Sequence, residues 1–391
     1  PKYITKYIVD NTVGKLCTEK KTELGLDIDF DVQDYQKSNG SVNAKGKELF
    51  RSLEDYKEWL LQLKILDPAC GSGAFLNQAL SFLIEEHKNI DDLIAELTNT
   101  PLRIFDTDKA ILENNIFGVD INDESVEIAK LSLWLRTAQK GRKLSNLNNN
   151  IKCGNSLIAD PSFAGDKAFK WEEEFPEIFA KGGFDAVIGN PPYVRADSPG
   201  NLLPFREHMV SNDKYDTLKG KWDLYIPFIE LSNNLIRTKG HSSLIIPDAY
   251  CHADYSTKSL ELYQKNNFLD RIDYYPNIEV FTNVGVKSVI VSFIKDKEDS
   301  KFTRRIHKED LTFTENRLDN YPKSFRLDFA DSLIEKVENA VNINDILYLS
   351  KGIVGNSCEK KYKGEFKVGD LLSTEKNEVH SKIYYEGKKI N

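Results

Sequence analysis

The chain of 391 residues has one methionine, Met209, and opens on Pro1, so it is expected to be a segment of a longer protein. Its five cysteines, Cys17, Cys70, Cys153, Cys251 and Cys358, are dispersed with no Cys-x-x-Cys pair. Reduced thiols are expected, rather than a disulfide framework or a zinc site. No apolar run reaches eighteen residues and no signal-peptide pattern opens the chain, so neither membrane insertion nor secretion is expected. The six histidines, His208, His241 and His252 among them, form no ligand-spaced group, and no metal is expected. A nuclease centre needs clustered carboxylates with a nearby lysine, commonly Pro-Asp followed by Glu-x-Lys. The one candidate, Pro247-Asp248, is followed by Glu261-Leu262-Tyr263, which lacks the lysine.

Positive charge is scarce as well. The net charge of -8 argues mildly against nucleic acid, because Lys and Arg supply much of the affinity for phosphate. The distribution matters more than the sum. Residues 351–391 carry nine lysines and six acids, net +3, which leaves -11 on the rest. A basic cleft on an acidic body and a merely solvated lysine face both fit that asymmetry.

What is present is a set of strand-turn units. The apolar run Phe184-Asp185-Ala186-Val187-Ile188-Gly189 reads as a buried parallel strand and ends in Asn190-Pro191-Pro192-Tyr193. In an open α/β sheet, ligands bind beyond the carboxyl ends of the strands. There this turn sets an amide, rigid carbonyls and an aromatic face, a combination suited to an exocyclic amine on a flat ring. The lone pair of such an amine is delocalised into the ring. Two acceptors, the Asn190 side-chain oxygen and the Pro191 carbonyl, can hold its nitrogen nearly tetrahedral while Tyr193 stacks on the ring. The plainer reading is a proline-rich turn.

A second unit, Lys64-Ile65-Leu66-Asp67-Pro68-Ala69-Cys70-Gly71-Ser72-Gly73, reads as a strand and a glycine-bearing loop, with a helix starting at Ala74. It is not the three-glycine dinucleotide fingerprint, since Leu76 stands three positions after Gly73. A third, Ile116 to Asn122, ends a strand at Asp120, which could take both hydroxyls of a ribose while Ile121 packs on a purine. Asp120 as a helix N-cap is an equal alternative.

Taken together, Asp67-Pro68-Ala69-Cys70-Gly71-Ser72-Gly73, Val119-Asp120-Ile121, Gly154-Asn155-Ser156-Leu157 and Asn190-Pro191-Pro192-Tyr193, in that order, resemble the S-adenosylmethionine-dependent amino-methyltransferases of DNA. Within them the chain resembles the gamma class of adenine-N6 enzymes, especially the methyltransferase part of type IIG restriction-modification proteins. The resemblance runs from residue 1 to about residue 358. It includes Pro1-Lys2-Tyr3-Ile4-Thr5 as an N-terminal cofactor element, the segment 223–228, and Glu279-Val280-Phe281 with the strand that follows.

The resemblance implies a Rossmann-like α/β methyltransferase fold, a mostly parallel seven-stranded sheet with one antiparallel strand. It also implies S-adenosyl-L-methionine as cofactor, bound by Tyr3, Thr5, Asp67, Pro68, Ala69, Gly71 and Gly73 towards its methionine end. Asp120 would hold the ribose; Ile121, Asn155 and Phe228 would line the adenine. Asn190, Pro191, Pro192 and Tyr193 would form the catalytic turn, and Phe281 would stack on the other face of the target base. The implied partner is double-stranded DNA with a flipped adenine, in the cytoplasm of a bacterium or archaeon, with a nuclease domain outside this segment in some relatives. The chain also lacks the Pro-Cys dipeptide that cytosine-C5 methyltransferases use as nucleophile. Release-factor glutamine and ribosomal RNA methyltransferases also use Asn-Pro-Pro-Tyr, and an inactive DNA-binding module is a further alternative. The chain departs from the family in lacking the usual threonine before Pro1, and in the long spacing from Asp67 to Asp120, which implies an inserted helix around residues 83–97.

Three regions are expected: 1–62, helical, with the cofactor element and a loop at 38–41; 63–320, the catalytic domain; and 321–391, a linker and partial target-recognition domain. Residues 1–20 suggest one helix, 222–237 a helix, 242–247 a strand, and 271–275 with 288–294 the closing strands. The charged stretch 296–306 suggests a linker or hairpin.

Overall fold

A computed structural model describes residues 1–27, 31–100, 107–138, 146–195, 203–212, 214–281 and 286–319. The segment 321–391, expected to open a recognition domain, lies outside the described residues.

Nine strands form one sheet: β1 (Ile65–Asp67), β2 (Ile116–Asp120), β3 (Ile151–Cys153), β4 (Phe184–Gly189), β5 (Ile236–Pro247), β6 (Leu269–Tyr274), β7 (Ser288–Ile294), β8 (Lys301–His307) and β9 (Phe313–Asp319). Their order is β3-β2-β1-β4-β5-β7-β6-β8-β9. The first five are mutually parallel, and β7 runs antiparallel to both neighbours. Seven strands with one reversed are therefore present, but the expected sheet was too small. β8 joins β6 in parallel and β9 returns antiparallel to β8, so the sheet does not close at residue 294.

Strands β1, β2 and β4 and the second half of β5 form because their residues bury on both faces, as a parallel sheet covered by helices requires. The stretch read as a possible linker becomes β8 because its charges find partners that are distant in sequence. Arg305 donates to the Tyr7 hydroxyl at 2.9 Å and to Glu315 at 2.6 Å, and His307 lies 3.0 Å from Asp273. Asp273 also accepts from Tyr7 and, at 2.8 Å, from Arg271. This buried cluster ties the first helix to β6 and β8, and Tyr275 stacks on His307 at 4.3 Å.

Three helix boundaries differ from expectation. Residues 1–20 form two helices, Lys2–Asp10 and Val13–Glu23, broken at Asn11-Thr12, where short polar side chains compete for backbone hydrogen bonds. The Thr12 hydroxyl donates to the Ile8 carbonyl at 2.6 Å. The long spacing before Asp120 holds no separate inserted helix at 83–97. One 25-residue helix, Ala74–Thr98, runs through it, and Thr107–Asn114 follows. Helix Tyr225–Leu235 is shorter than expected because the chain turns extended at Ile236 and β5 begins there. Residues 38–41 form a turn in which the Lys37 N–H donates to Ser41 and the Gly40 N–H to Lys37, each at 2.8 Å.

The N-terminal helices and Ala74–Thr98 share one core with the sheet, including Ile4, Ile8, Leu49, Tyr56, Leu76 and Leu80 with Ile65, Ile188 and Ile290. Asp273→Ala would leave the Arg271 guanidinium buried without its carboxylate. The variant should lose about 3–5 kcal/mol of stability, measured as the shift in urea unfolding, by the cost of breaking a buried ion pair from one side.

Candidate active site

In a parallel sheet of this order, a crevice opens where the strand order reverses, between β1 and β4, at their carboxyl ends. Asp67 ends β1 and Gly189 ends β4. The two strands approach so closely that a Cβ at Gly189 would sit 2.7 Å from Asp67 Oδ1. Only a glycine leaves room for that carboxyl.

The β1 loop is held from three sides. Asp67 Oδ1 accepts from the Ala69 N–H at 3.0 Å. The Cys70 N–H donates to the Val119 carbonyl at 3.0 Å, and the Gly71 N–H donates to Asp120 Oδ2 at 2.8 Å. Pro68 takes the Ser156 hydroxyl on its carbonyl at 2.6 Å, which joins this loop to the turn after β3. Gly71 and Gly73 both have positive φ, +51° and +84°, as an L side chain seldom does. Nothing lies within 4 Å of a Cβ built on Gly71, so that side of the loop is open.

Asp120 is not a helix cap. The N-cap of Asp123–Thr137 is Asn122, whose side chain accepts from the Ser125 N–H. Asp120 instead accepts from Gly71 with one oxygen and from the Asn122 N–H at 3.0 Å with the other. Each carboxylate oxygen keeps lone-pair capacity for a ligand hydroxyl. Ile121 beside it is 58% exposed, although large and apolar. Asn155 follows β3, its side chain accepting from the Leu157 N–H at 3.1 Å.

Burial pushes the Asp67 carboxyl up to about 8, with the Ala69 N–H opposing and nearby Asp120 adding to the rise. Burial likewise raises the Cys70 thiol, so it is not a thiolate nucleophile.

The turn after β4 presents its groups at the crevice mouth. Asn190 is exposed, and its Oδ1 lies 2.5 Å from the Tyr193 hydroxyl, which is also 2.9 Å from the Ile245 carbonyl on β5. The one hydroxyl proton can go to either acceptor. Pro191 is buried, and its carbonyl takes no hydrogen bond from any described residue. Pro192 is exposed beside it. The Tyr193 ring meets Tyr225 edge-on at 6.3 Å and Phe281 at 6.5 Å and 69°. The structure thus brings Tyr193 and Phe281 together in an edge contact, not as parallel faces.

Residues with no assigned role in the sequence reading hold this turn. Asp223 accepts from the Val194 N–H at 2.8 Å, and Arg206 donates to the Val194 carbonyl at 2.7 Å and to the Trp222 carbonyl. Tyr225 and Tyr255 pair through their hydroxyls at 3.0 Å behind Tyr193. Asp223 stands just ahead of a helix, a placement that could have marked it; nothing local marks Arg206.

Three expected cofactor residues are less directly placed. Tyr3 packs against the core, the Thr5 hydroxyl donates back to the Lys2 carbonyl at 3.0 Å, and Phe228 is buried in its helix. No hydrogen bond joins any of them to the β1 loop among the described residues. No group of three or more His, Cys, Asp or Glu that could hold a metal occurs among the described residues.

Residues 114–281 match the family described as Eco57I restriction-modification methylase. The chain is 27% identical over 259 residues to the type II restriction enzyme and methyltransferase RM.Eco57I of Escherichia coli, covering 62% of this chain and 25% of that protein. It is also 27% identical over 254 residues to the type II methyltransferase M.BstVI of Geobacillus stearothermophilus, covering 65% and 41%. It is 26% identical over 236 residues to the adenine-specific methyltransferase PglX of Streptomyces coelicolor, covering 52% and 18%. The chain thus spans well under half of each relative's length. The type IIL restriction-modification enzyme MmeI, solved with DNA, superposes with a TM-score of 0.51 at 16% identity, covering 70% of this chain and 36% of that one. Segment 114–281 is therefore similar to the Eco57I restriction-modification methylase family, and the chain shares the fold of the restriction-modification enzyme MmeI.

Proposed function

We propose that the chain is the adenine-N6 DNA methyltransferase part of a restriction-modification protein, using S-adenosylmethionine. The observation that carries this reading is the meeting of the Asp67 loop and the Asn190–Tyr193 turn across the β1–β4 crevice. A methyl donor lying along β1 and β2 would end beside the turn that holds the acceptor.

The residues suit the cofactor. An open loop at Gly71, a carboxylate at Asp120 with lone pairs to spare, and the exposed apolar Ile121 match amino-acid, ribose and purine in that order along the strand ends. Pro68, Ala69 and Gly73 shape the loop, Asn155 borders the purine, and Phe228, Tyr3 and Thr5 support the cofactor from behind. When bound, S-adenosylmethionine supplies a methyl group on a cationic sulfur.

Asn190 Oδ1 and the Pro191 carbonyl each accept one amine N–H, which holds the nitrogen out of conjugation with its ring. Pro192 stiffens the turn, and Asp223 with Arg206 fixes its exit. Methylation leaves the nitrogen cationic and its proton is readily lost, so no strong base is required. The ring of Tyr193 stacks on the base, and Phe281 moves aside from its edge contact to cover the other face. An adenine stacked inside a duplex cannot reach this crevice, so it is flipped out, at a cost of about a few kcal/mol.

Transfer of labelled methyl groups to DNA, with N6-methyladenine identified by mass spectrometry, tests the function in the full-length protein. Methylation of glutamine in protein or of guanine in RNA, with none in DNA, would replace this reading. In Asn190→Ala, the single-turnover rate should fall on the order of 100-fold or more, as when one preorganised transition-state hydrogen bond is removed. Cofactor affinity should stay near wild type. A near-normal rate would remove Asn190 from the chemistry.

Phe281→Ala should slow methylation of paired DNA more than of a mismatched target, whose extrusion costs less. Equal losses on the two substrates would make Phe281 a packing residue only.

A further inference from the structure

A surface helix normally turns one apolar stripe to the core and a polar face to water. Helix Asp123–Thr137 does the first and not the second. Val126, Ala129, Leu133 and Thr137 are buried, and that side packs against Ala74–Thr98, β2 and β3. Ile128, Leu131 and Leu135 lie on the opposite side, 53%, 52% and 69% exposed. Their spacing of three and four sets them on one line along the helix, with Glu124 a turn before Ile128. Single exposed apolar residues are ordinary, whereas a contiguous row of large ones marks an interaction surface.

The charges at the two ends of the row indicate what covers it. Asp123 meets Lys167 at 2.6 Å and Glu127 meets Lys130 at 2.9 Å, but Glu124 meets no cation among the described residues. Arg136, exposed at the other end, meets no carboxylate among them. The outward side of the helix thus runs from an unpaired acid, through three apolar side chains, to an unpaired base. Reversed, that order is complementary to itself. A second copy laid antiparallel brings its Arg136 end to Glu124 and its Glu124 end to Arg136, with Ile128 against Leu135 and Leu131 against Leu131. The two helix dipoles then oppose each other, whereas a parallel pair would set acid beside acid.

We propose that this helix is the contact of a two-fold dimer of the chain, in which Ile128, Leu131 and Leu135 pack antiparallel against the same residues of a second copy. Three partly exposed side chains per copy fall well short of the about 1,200–2,000 Å² that a stable interface buries, so the dimer is weak, with a dissociation constant on the order of 100 μM. The helix begins just beyond Asp120, at the carboxyl end of β2. Antiparallel pairing therefore puts the two crevices at opposite ends of the dimer and leaves each one open. The dimer is independent of the function proposed above.

Sedimentation equilibrium of the chain, loaded at about 5 to 500 μM, should show the mass rising from one copy towards two. Leu131→Glu sets two like charges at the two-fold axis. It should stay monomeric over that range, with an unchanged urea midpoint because the position is exposed in the single chain. Glu124→Lys or Arg136→Glu alone should weaken association about tenfold, and the two together should restore it, since the reversed charges again face opposite ones.

Oxidation reports the direction of pairing. Leu131→Cys should give a disulfide-linked dimer that the wild-type chain does not form, whereas Glu124→Cys should not, because its two copies lie about 20 Å apart along the paired helices. Efficient cross-linking through Glu124→Cys, or a dimer that Leu131→Glu leaves intact, would overturn the proposal. So would a wild-type chain that stays monomeric at the highest concentration, which would leave the row to another occupant.

Discussion

The site depends on one close approach. β1 and β4 are neighbours in a parallel sheet, and at their ends the Asp67 carboxyl occupies the space that a side chain at Gly189 would fill. Any larger residue there would drive the carboxyl out or part the strands, and either would move the Asn190 turn away from the β1 loop. Backbone spacing in a sheet is fixed by its hydrogen bonds, so the two halves of the crevice inherit their separation from the ladder itself.

Around that approach the loops are fixed by acceptors drawn from other strands. Asp120 on β2 holds Gly71 on the β1 loop, Pro68 on that loop takes Ser156 from the turn after β3, and Asp223 beyond β4 holds Val194. In each case a side chain satisfies a backbone group that a loop would otherwise leave to water. Among the described residues, the atoms left uncommitted are those a ligand needs: the Pro191 carbonyl and the second lone pairs of Asp120. Binding capacity here is what remains after the loops have satisfied one another.

Farther from the crevice, the Asp273 cluster performs a different task. It joins the first helix to β6 and β8 through charges that would be costly if any one partner were missing. Tyr275, stacked on His307, stands at the end of β6 six residues before Phe281. The helix that carries Tyr3 and Thr5 and the segment that leads to Phe281 are thereby anchored to the same buried cluster.

By itself the sequence determined the α/β alternation, the strands ending at Asp67, Asp120 and Gly189, and the Asn190–Tyr193 turn. These are legible because apolar runs and glycine or proline punctuation are local signals. It could not decide between ribose ligand and helix cap for Asp120, since both roles put an acid at the same place in the chain; the fold excludes the cap, because Asn122 caps the helix and Asp120 instead holds the Gly71 N–H across the sheet. Nor could it recognise β8, whose Arg305 and His307 read as solvent-facing until Tyr7 and Asp273, some 300 and 30 residues away, pair with them. The role of Arg206 was hidden for the same reason. A polar group's role depends on whether a partner meets it, and partners distant in sequence are brought together only by the fold.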